Sequence, residues 1–324
     1  MQYVNLGRTG LKVSRLCMGT MQFGWSVGEA ETHRLLSATL DCGLNFMDTA
    51  DVYSKWVEGN PGGVAETFIG NWLKQEKIPR ERIVLATKVR GSLSTGPNSE
   101  GLSRQHIMNA VEASLRRLQT DYIDLYQAHW TDKDTPIEET MRAFDDLVRQ
   151  GKVRYVGASN YKAWELMQAL WTSDKHGLVR YDSLQPHYNL IWREEFESEL
   201  RDVCKTYGLG VIPYSPLASG FLTGKYRRDR PLPESRRAES RKRVMTEKNL
   251  ALIEKMDEIA EAHTATVSQV ALAWILADPV ITSPIIGATS VEQLEENLGA
   301  LEVKLTKEEQ IMLDELTQWK ETRK

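Results

Sequence analysis

Short apolar runs and amphipathic stretches alternate along almost the whole chain. Strand-like runs fall at residues 14–19, 44–47, 83–87, 123–128, 153–158, 183–185, 210–214 and 281–286. Several lack polar alternation, as expected of parallel strands covered on both faces. Between them, Ile107, Ala110, Val111, Leu115 and Leu118 repeat at helical spacing, as do Ile137, Met141, Phe144 and Val148. Ser290-Val291-Glu292-Gln293 and Thr306-Lys307-Glu308-Glu309 have the form of capping boxes and predict helix starts. Residues 3–13 predict a hairpin that reverses at Gly7 and Gly10.

Strands alternating with helices predict an α/β chain closed as one (β/α)8 TIM barrel over residues 1–324, with an N-terminal β-hairpin and an extra C-terminal helix after Glu302. An open doubly wound sheet is the rival. Its dinucleotide fingerprint is missing, because Gly19, Gly24 and Gly28 are too widely spaced for that turn. One stretch, residues 217–248, reads as a long loop outside the repeat and carries Lys225, Arg227, Arg228, Arg230, Arg236, Arg237, Arg241, Lys242 and Arg243. Loops of this length in compact domains tend to be functional.

The composition is that of a soluble globular protein, 41% apolar and 27% charged, and the net charge of −4 points away from nucleic acid or an anionic membrane as partner. Cys17, Cys42 and Cys204 have no paired spacing, so neither a disulfide framework nor a metal site is expected. The start of the chain is not a basic-then-apolar signal and no apolar run approaches the ~18 residues of a membrane span, so a cytoplasmic location is the expectation. Nothing in the sequence specifies an oligomeric state.

Four polar side chains stand at or just beyond strand ends, where barrels of this kind place their chemistry. Asp48 closes the second barrel strand, Tyr53 follows it, Lys88 closes the third and His129 the fourth. Singly, each has a plainer reading: a turn-forming aspartate, a surface lysine, a pocket-wall tyrosine, a loop histidine. Together they suit carbonyl reduction, in which a phenol protonates the developing alkoxide. A lysine ammonium would favour the phenolate, and lowering the tyrosine pKa by about two units would require ~2.7 kcal/mol. Asp48 would keep that buried lysine charged, and His129 would orient the carbonyl oxygen. A lyase in which Lys88 forms a Schiff base is the competing chemistry.

Residues 43–53, Gly-Leu-Asn-Phe-Met-Asp-Thr-Ala-Asp-Val-Tyr, resemble the aldo-keto reductase signature. The similarity continues through Ala86-Thr87-Lys88, Ala128-His129-Trp130, residues 151–160, 185–190, 211–217 and 286–297, in the family's order. The chain is similar to bacterial-type members and to the potassium-channel β-subunit-like branch. The resemblance implies NADPH-dependent reduction of small aldehydes or ketones, or alternatively a nucleotide-binding, redox-sensing regulatory subunit. It implies Tyr53 as acid, Lys88 and Asp48 as its tuning pair, and His129 as the orienting donor. Ser159, Asn160 and Gln185 would hold the nicotinamide amide, and Tyr214 would stack on the ring. Ser215, Leu217 and the segment 222–226 would cover the pyrophosphate, and Thr289, Gln293, Glu296 and Asn297 would surround the adenosine.

Two departures matter. Residues 54–64 form a longer connection than the family's usual one, beside the substrate opening. Gly287 and Gln293 stand where some members have a lysine and an arginine, so Lys225 and Arg236 or Arg237 would read the 2′-phosphate. Trp25, Trp56 and Trp130 are expected to wall the substrate pocket, and Trp72, Trp164 and Trp171 to serve as outer packing.

Overall fold

The computed structural model describes residues 1–92, 95–228 and 242–319. Strands β1 (Tyr3–Asn5) and β2 (Lys12–Ser14) pair antiparallel as the hairpin. Eight parallel strands follow in one sheet: β3 (Cys17–Gly19), β4 (Phe46–Asp48), β5 (Val84–Val89), β6 (Ile123–Ala128), β7 (Val153–Ser159), β8 (Tyr181–Gln185), β9 (Gly210–Val211) and β10 (Ile285–Gly287). β10 pairs with β3 at one end of this order. At the other end the ring is closed by Thr282 N–H donating to Val211 O at 2.8 Å and Ile285 N–H donating to Pro213 O at 2.9 Å. The expected (β/α)8 architecture is what the chain adopts. The run expected at 14–19 is divided, its first residue belonging to the hairpin and its end to the barrel.

Helices α1 (Glu29–Asp41), α2 (Val64–Gln75), α3 (Arg104–Leu118), α4 (Ile137–Arg149), α5 (Ala163–His176) and α6 (Arg201–Tyr207) each follow a barrel strand. After β9 come α7 (Glu247–Ala262) and α8 (Val267–Ala277), and after β10 come α9 (Val291–Leu298) and α10 (Lys307–Leu316). The box at Thr306 is complete, with Glu309 N–H donating to Thr306 Oγ1 and Thr306 N–H to Glu309 Oε2. The one at Ser290 is only half made. Ser290 Oγ accepts from Gln293 N–H, but the Gln293 side chain turns instead to Thr289. The basic stretch is not wholly irregular either, since short 3₁₀ turns occupy Ala218–Thr223 and Lys242–Val244.

Successive side chains on a strand face opposite ways, and this rule places the site. Cys17, Phe46, Val84, Ala86, Leu125, Ile212 and Ile285 face inward and pack with Leu6 and Val13 of the hairpin into an apolar floor. Two residues beyond Phe46, Ala86 and Leu125 on the same inner face stand Asp48, Lys88 and Gln127, with His129 one step further. The barrel is therefore apolar at the hairpin end and polar at its mouth. Gly7 (φ 55°) permits the hairpin to seat there: a Cβ on it would lie 2.3 Å from Gly210 N. Gly10 has an ordinary φ and open space around it, so the reversal rests on Gly7. Trp72 is fully buried among the helices, whereas Trp164 and Trp171 project to solvent at 62% exposure, so only the first serves as packing.

Candidate active site

At the mouth, Lys88 Nζ donates to Asp48 Oδ2 at 2.5 Å, to Thr49 O at 2.8 Å and to the Tyr53 hydroxyl at 2.9 Å. The other Asp48 oxygen accepts from Gln127 Nε2 at 3.1 Å and Gln185 Nε2 at 2.9 Å. Burial lowers the Lys88 pKa, but Asp48 and Tyr53 outweigh it and hold the ammonium above its ordinary range. A charged lysine is a poor Schiff-base nucleophile, which argues against lyase chemistry.

Tyr53 departs from expectation. Burial raises its pKa, and the opposing pull of Lys88 does not overcome it. The phenol thus keeps its proton throughout the neutral range. Because the Lys88 ammonium occupies one lone pair of the phenol oxygen, the O–H remains as the donor facing the mouth. Burial, with Lys88 and Arg90 nearby, pushes His129 well below the usual histidine range, so its ring is neutral and has one N–H to give. The Tyr53 and His129 ring centroids are 6.2 Å apart, and His129 stacks on Trp130 at 3.7 Å. Asp51, in the same loop as Tyr53, is fully buried; burial and the charge of Glu66 push it well above the carboxylate range.

A cavity of about 820 Å³ opens above this cluster. Its walls include Asp48, Tyr53 and His129, with Lys88 behind them, and Trp25, Trp56 and Trp130 around the rim. Trp25 and Trp56 meet edge to face at 5.9 Å, so the long connection after Tyr53 reaches the loop after β3. Asn60 Nδ2 donates to Gly24 O at 2.9 Å and anchors it there.

The cavity then runs past Ser159, Asn160, Gln185, Tyr214, Ser215, Leu217 and Lys225 to Thr289, Gln293, Glu296 and Asn297. Tyr214 O–H donates to Asn160 Oδ1 at 2.9 Å, while Asn160 Nδ2 donates to His129 O and Ser159 Oγ, both at 3.0 Å. Burial pushes the Tyr214 phenol up to about 12, so that donor is secure. Ser215, Ala218, Ser219, Gly220 and Gly224 all have left-handed φ, and Lys225 Nζ sits 3.4 Å from where a Cβ on Gly220 would stand. Ala218 N–H and Gly220 N–H close this turn on Ser215 O and Leu217 O at 2.9 and 2.8 Å, and non-glycine residues tolerate the conformation mainly where function holds it. An elongated, anionic nucleotide fits the hydroxyl, amide and ammonium groups that line this cavity.

Arg236 and Arg237 lie outside the described residues. Arg227 bonds Asp257, and Arg228 bonds Glu254 and Glu247, so both are tied to α7. Glu296 accepts from Thr266 Oγ1 at 3.0 Å. Two contributors escape the sequence reading. Gln127 was legible, being two residues before His129 and so on the same strand face. Ser268, on α8 and in the cavity wall, had no signal before the chain was folded.

A (β/α)8 barrel with this mouth defines a reductase of the aldo-keto type, and residues 15–318 match the aldo/keto reductase family, to which the chain belongs. It is 42% identical to the uncharacterized oxidoreductase YrpG of Bacillus subtilis, covering 98% of this chain and 96% of that one. It is 37% identical to versiconal hemiacetal acetate reductase of Aspergillus parasiticus, over 97% and 96% of the two chains. It is also 38% identical to a probable voltage-gated potassium channel subunit beta of Oryza sativa, over 94% and 92%. Among the described residues, no helix is long and apolar enough to cross a membrane.

Proposed function

We propose that this protein reduces aldehyde or ketone carbonyls to alcohols with NADPH, using Tyr53 as the general acid. The observation that carries this reading is the chain Asp48–Lys88–Tyr53, bonded at 2.5 and 2.9 Å beneath the cavity. When bound, the nicotinamide supplies the hydride. The chain's own residues supply the rest. Tyr214 would present a flat face to the ring, and Asn160, Ser159 and Gln185 offer amide and hydroxyl groups to fix its rotation. His129 donates to the carbonyl oxygen. As charge develops on that oxygen, Tyr53 passes its proton across, and the phenolate left behind is met by the ammonium 2.9 Å away. The raised resting pKa and the acid role are thus compatible, because Lys88 stabilises the product state of the transfer.

NADPH is favoured over NADH by Lys225 in the cavity wall, with the Glu296 carboxylate already engaged by Thr266. The three tryptophans at the rim suit a small or medium carbonyl compound with a flat apolar body. A regulatory-subunit reading draws on the channel-subunit relatives and would require nucleotide binding without turnover. Titration of NADPH and NADH, then a carbonyl panel followed at the nicotinamide absorbance, tests the proposal. NADPH binding with turnover is the expected result, and binding with negligible turnover across the panel would give the regulatory reading the advantage.

A further inference from the structure

Beyond the cavity wall, the loop after β8 carries a second set of rings. His187 forms a parallel bridge with Tyr214, reinforced by Tyr214 N–H donating to Pro186 O at 2.9 Å. Neighbouring residues so paired project side chains on the same face, and the two rings stack at 5.0 Å between centroids and 10° between planes. On His187 lies Trp192, 5.1 Å away at 34° and 45% exposed. Asn189 ties this stack to the nucleotide side: its Nδ2 donates to Ser215 O at 3.0 Å and lies 3.5 Å from His187 Nε2. Tyr214 and Ser215 line the cavity, whereas His187, Asn189 and Trp192 do not.

We infer that His187 is a positioning residue for the cofactor, backing Tyr214 so that its plane is set before the nicotinamide arrives. This rests on the reading above, in which Tyr214 receives that ring. The Tyr214 hydroxyl is held at its edge by Asn160, which stops translation but leaves the ring free to tilt about the line to that bond. A flat neighbour at 10° removes the tilt, and Trp192 holds the neighbour in turn. A side chain that could not stack would leave Tyr214 to find its plane on binding, and the ordering cost would appear as lost affinity at the nicotinamide end alone. The adenosine contacts at Thr289, Gln293 and Asn297 and the cation of Lys225 lie elsewhere along the cavity and would not feel it.

The test compares two nucleotides, NADPH and adenosine 2′,5′-bisphosphate, which lacks the nicotinamide. Immobilising one side chain on binding costs about 0.5–1.5 kcal/mol, so His187→Ala should weaken NADPH by roughly threefold to tenfold and leave the bisphosphate within about twofold. His187→Phe, which restores a flat ring, should recover most of the loss. Equal weakening of both nucleotides, no weakening of NADPH, or a Phe variant as poor as the Ala variant would overturn the inference. If His187→Ala does not fold, Trp192→Ala at its exposed position carries the same comparison, with a smaller loss confined to NADPH expected. Wild-type protein that binds neither nucleotide would overturn the proposed function itself, and the inference with it. Wild type that binds NADPH while the variants are unaffected would overturn the inference alone.

Discussion

Lys88 Nζ lies 2.5 Å from Asp48 Oδ2 with both side chains all but sealed from solvent, at 0% and 2% exposure. A charge pair taken this far from water is not there for stability, since its desolvation roughly cancels its attraction. What it does is keep an ammonium at the phenol oxygen of Tyr53. The pair is complete only because Gln127, Gln185 and the Thr49 carbonyl satisfy its remaining atoms.

Breaking the pair from one side should therefore be costly. Lys88→Met strands the Asp48 carboxylate, and losses of about 3–5 kcal/mol follow removal of one partner of a buried pair. Adding Asp48→Asn should return part of that loss. Chemical denaturation of the single and double variants measures both, and a double variant less stable than Lys88→Met would contradict the argument.

Tyr53→Phe removes the transferable proton and little volume. General acid catalysis contributes about 10²–10⁴-fold, so kcat should fall by that order while NADPH affinity stays nearly unchanged. Near-normal turnover would remove Tyr53 from the role of acid.

The pH dependence has a definite sign. The Tyr53 phenol is raised above its usual range and the His129 ring is lowered below its own. The protonated phenol persists until pH rises through the raised value, and the neutral imidazole until pH falls through the lowered one. Reductive kcat/KM should then be flat across the neutral range, without a basic limb near pH 8. A pH–rate profile that bends down there would mean that Lys88 overcomes burial after all.

Cofactor preference is checked at Lys225. Lys225→Ala should weaken NADPH more than NADH, because a 2′-phosphate gains from a cation that a ribose hydroxyl does not need. Equal losses would assign the discrimination to other residues.

Asp182, away from the mouth, provides a stability test. Burial pushes its carboxyl up to about 6, against the partial relief of Arg8 and Arg180. The folded state then holds a proton that the unfolded chain releases near pH ~4, so stability contributed by the neutral acid is lost as pH rises from about 4 through 6. Asp182→Asn, which mimics that neutral form, should raise Tm above pH 7 and lose its advantage below pH 4. A variant no more stable than wild type at pH 7.5 would show that the arginines dominate.

Strand and helix order, the barrel and the chemistry at successive strand ends were open to reading from local pattern. All three are encoded at short range: apolar periodicity reports which side of an element is covered, and residues two apart on a strand share a face. Gln127, two residues before His129, obeys the same rule. What required the folded chain was everything set by closure of the ring. Asp48, Gln127 and Gln185 come from β4, β6 and β8, and only the register around the barrel aims both amides at one carboxylate oxygen. Arg227 and Arg228 belong to the basic stretch by sequence, and only the folded chain brings Asp257, Glu247 and Glu254 of α7 against them. The direction of the Tyr53 shift belongs to the same class. Sequence names the cation beside it, but the outcome depends on how much water the surrounding walls remove, and burial is a property of the assembled mouth.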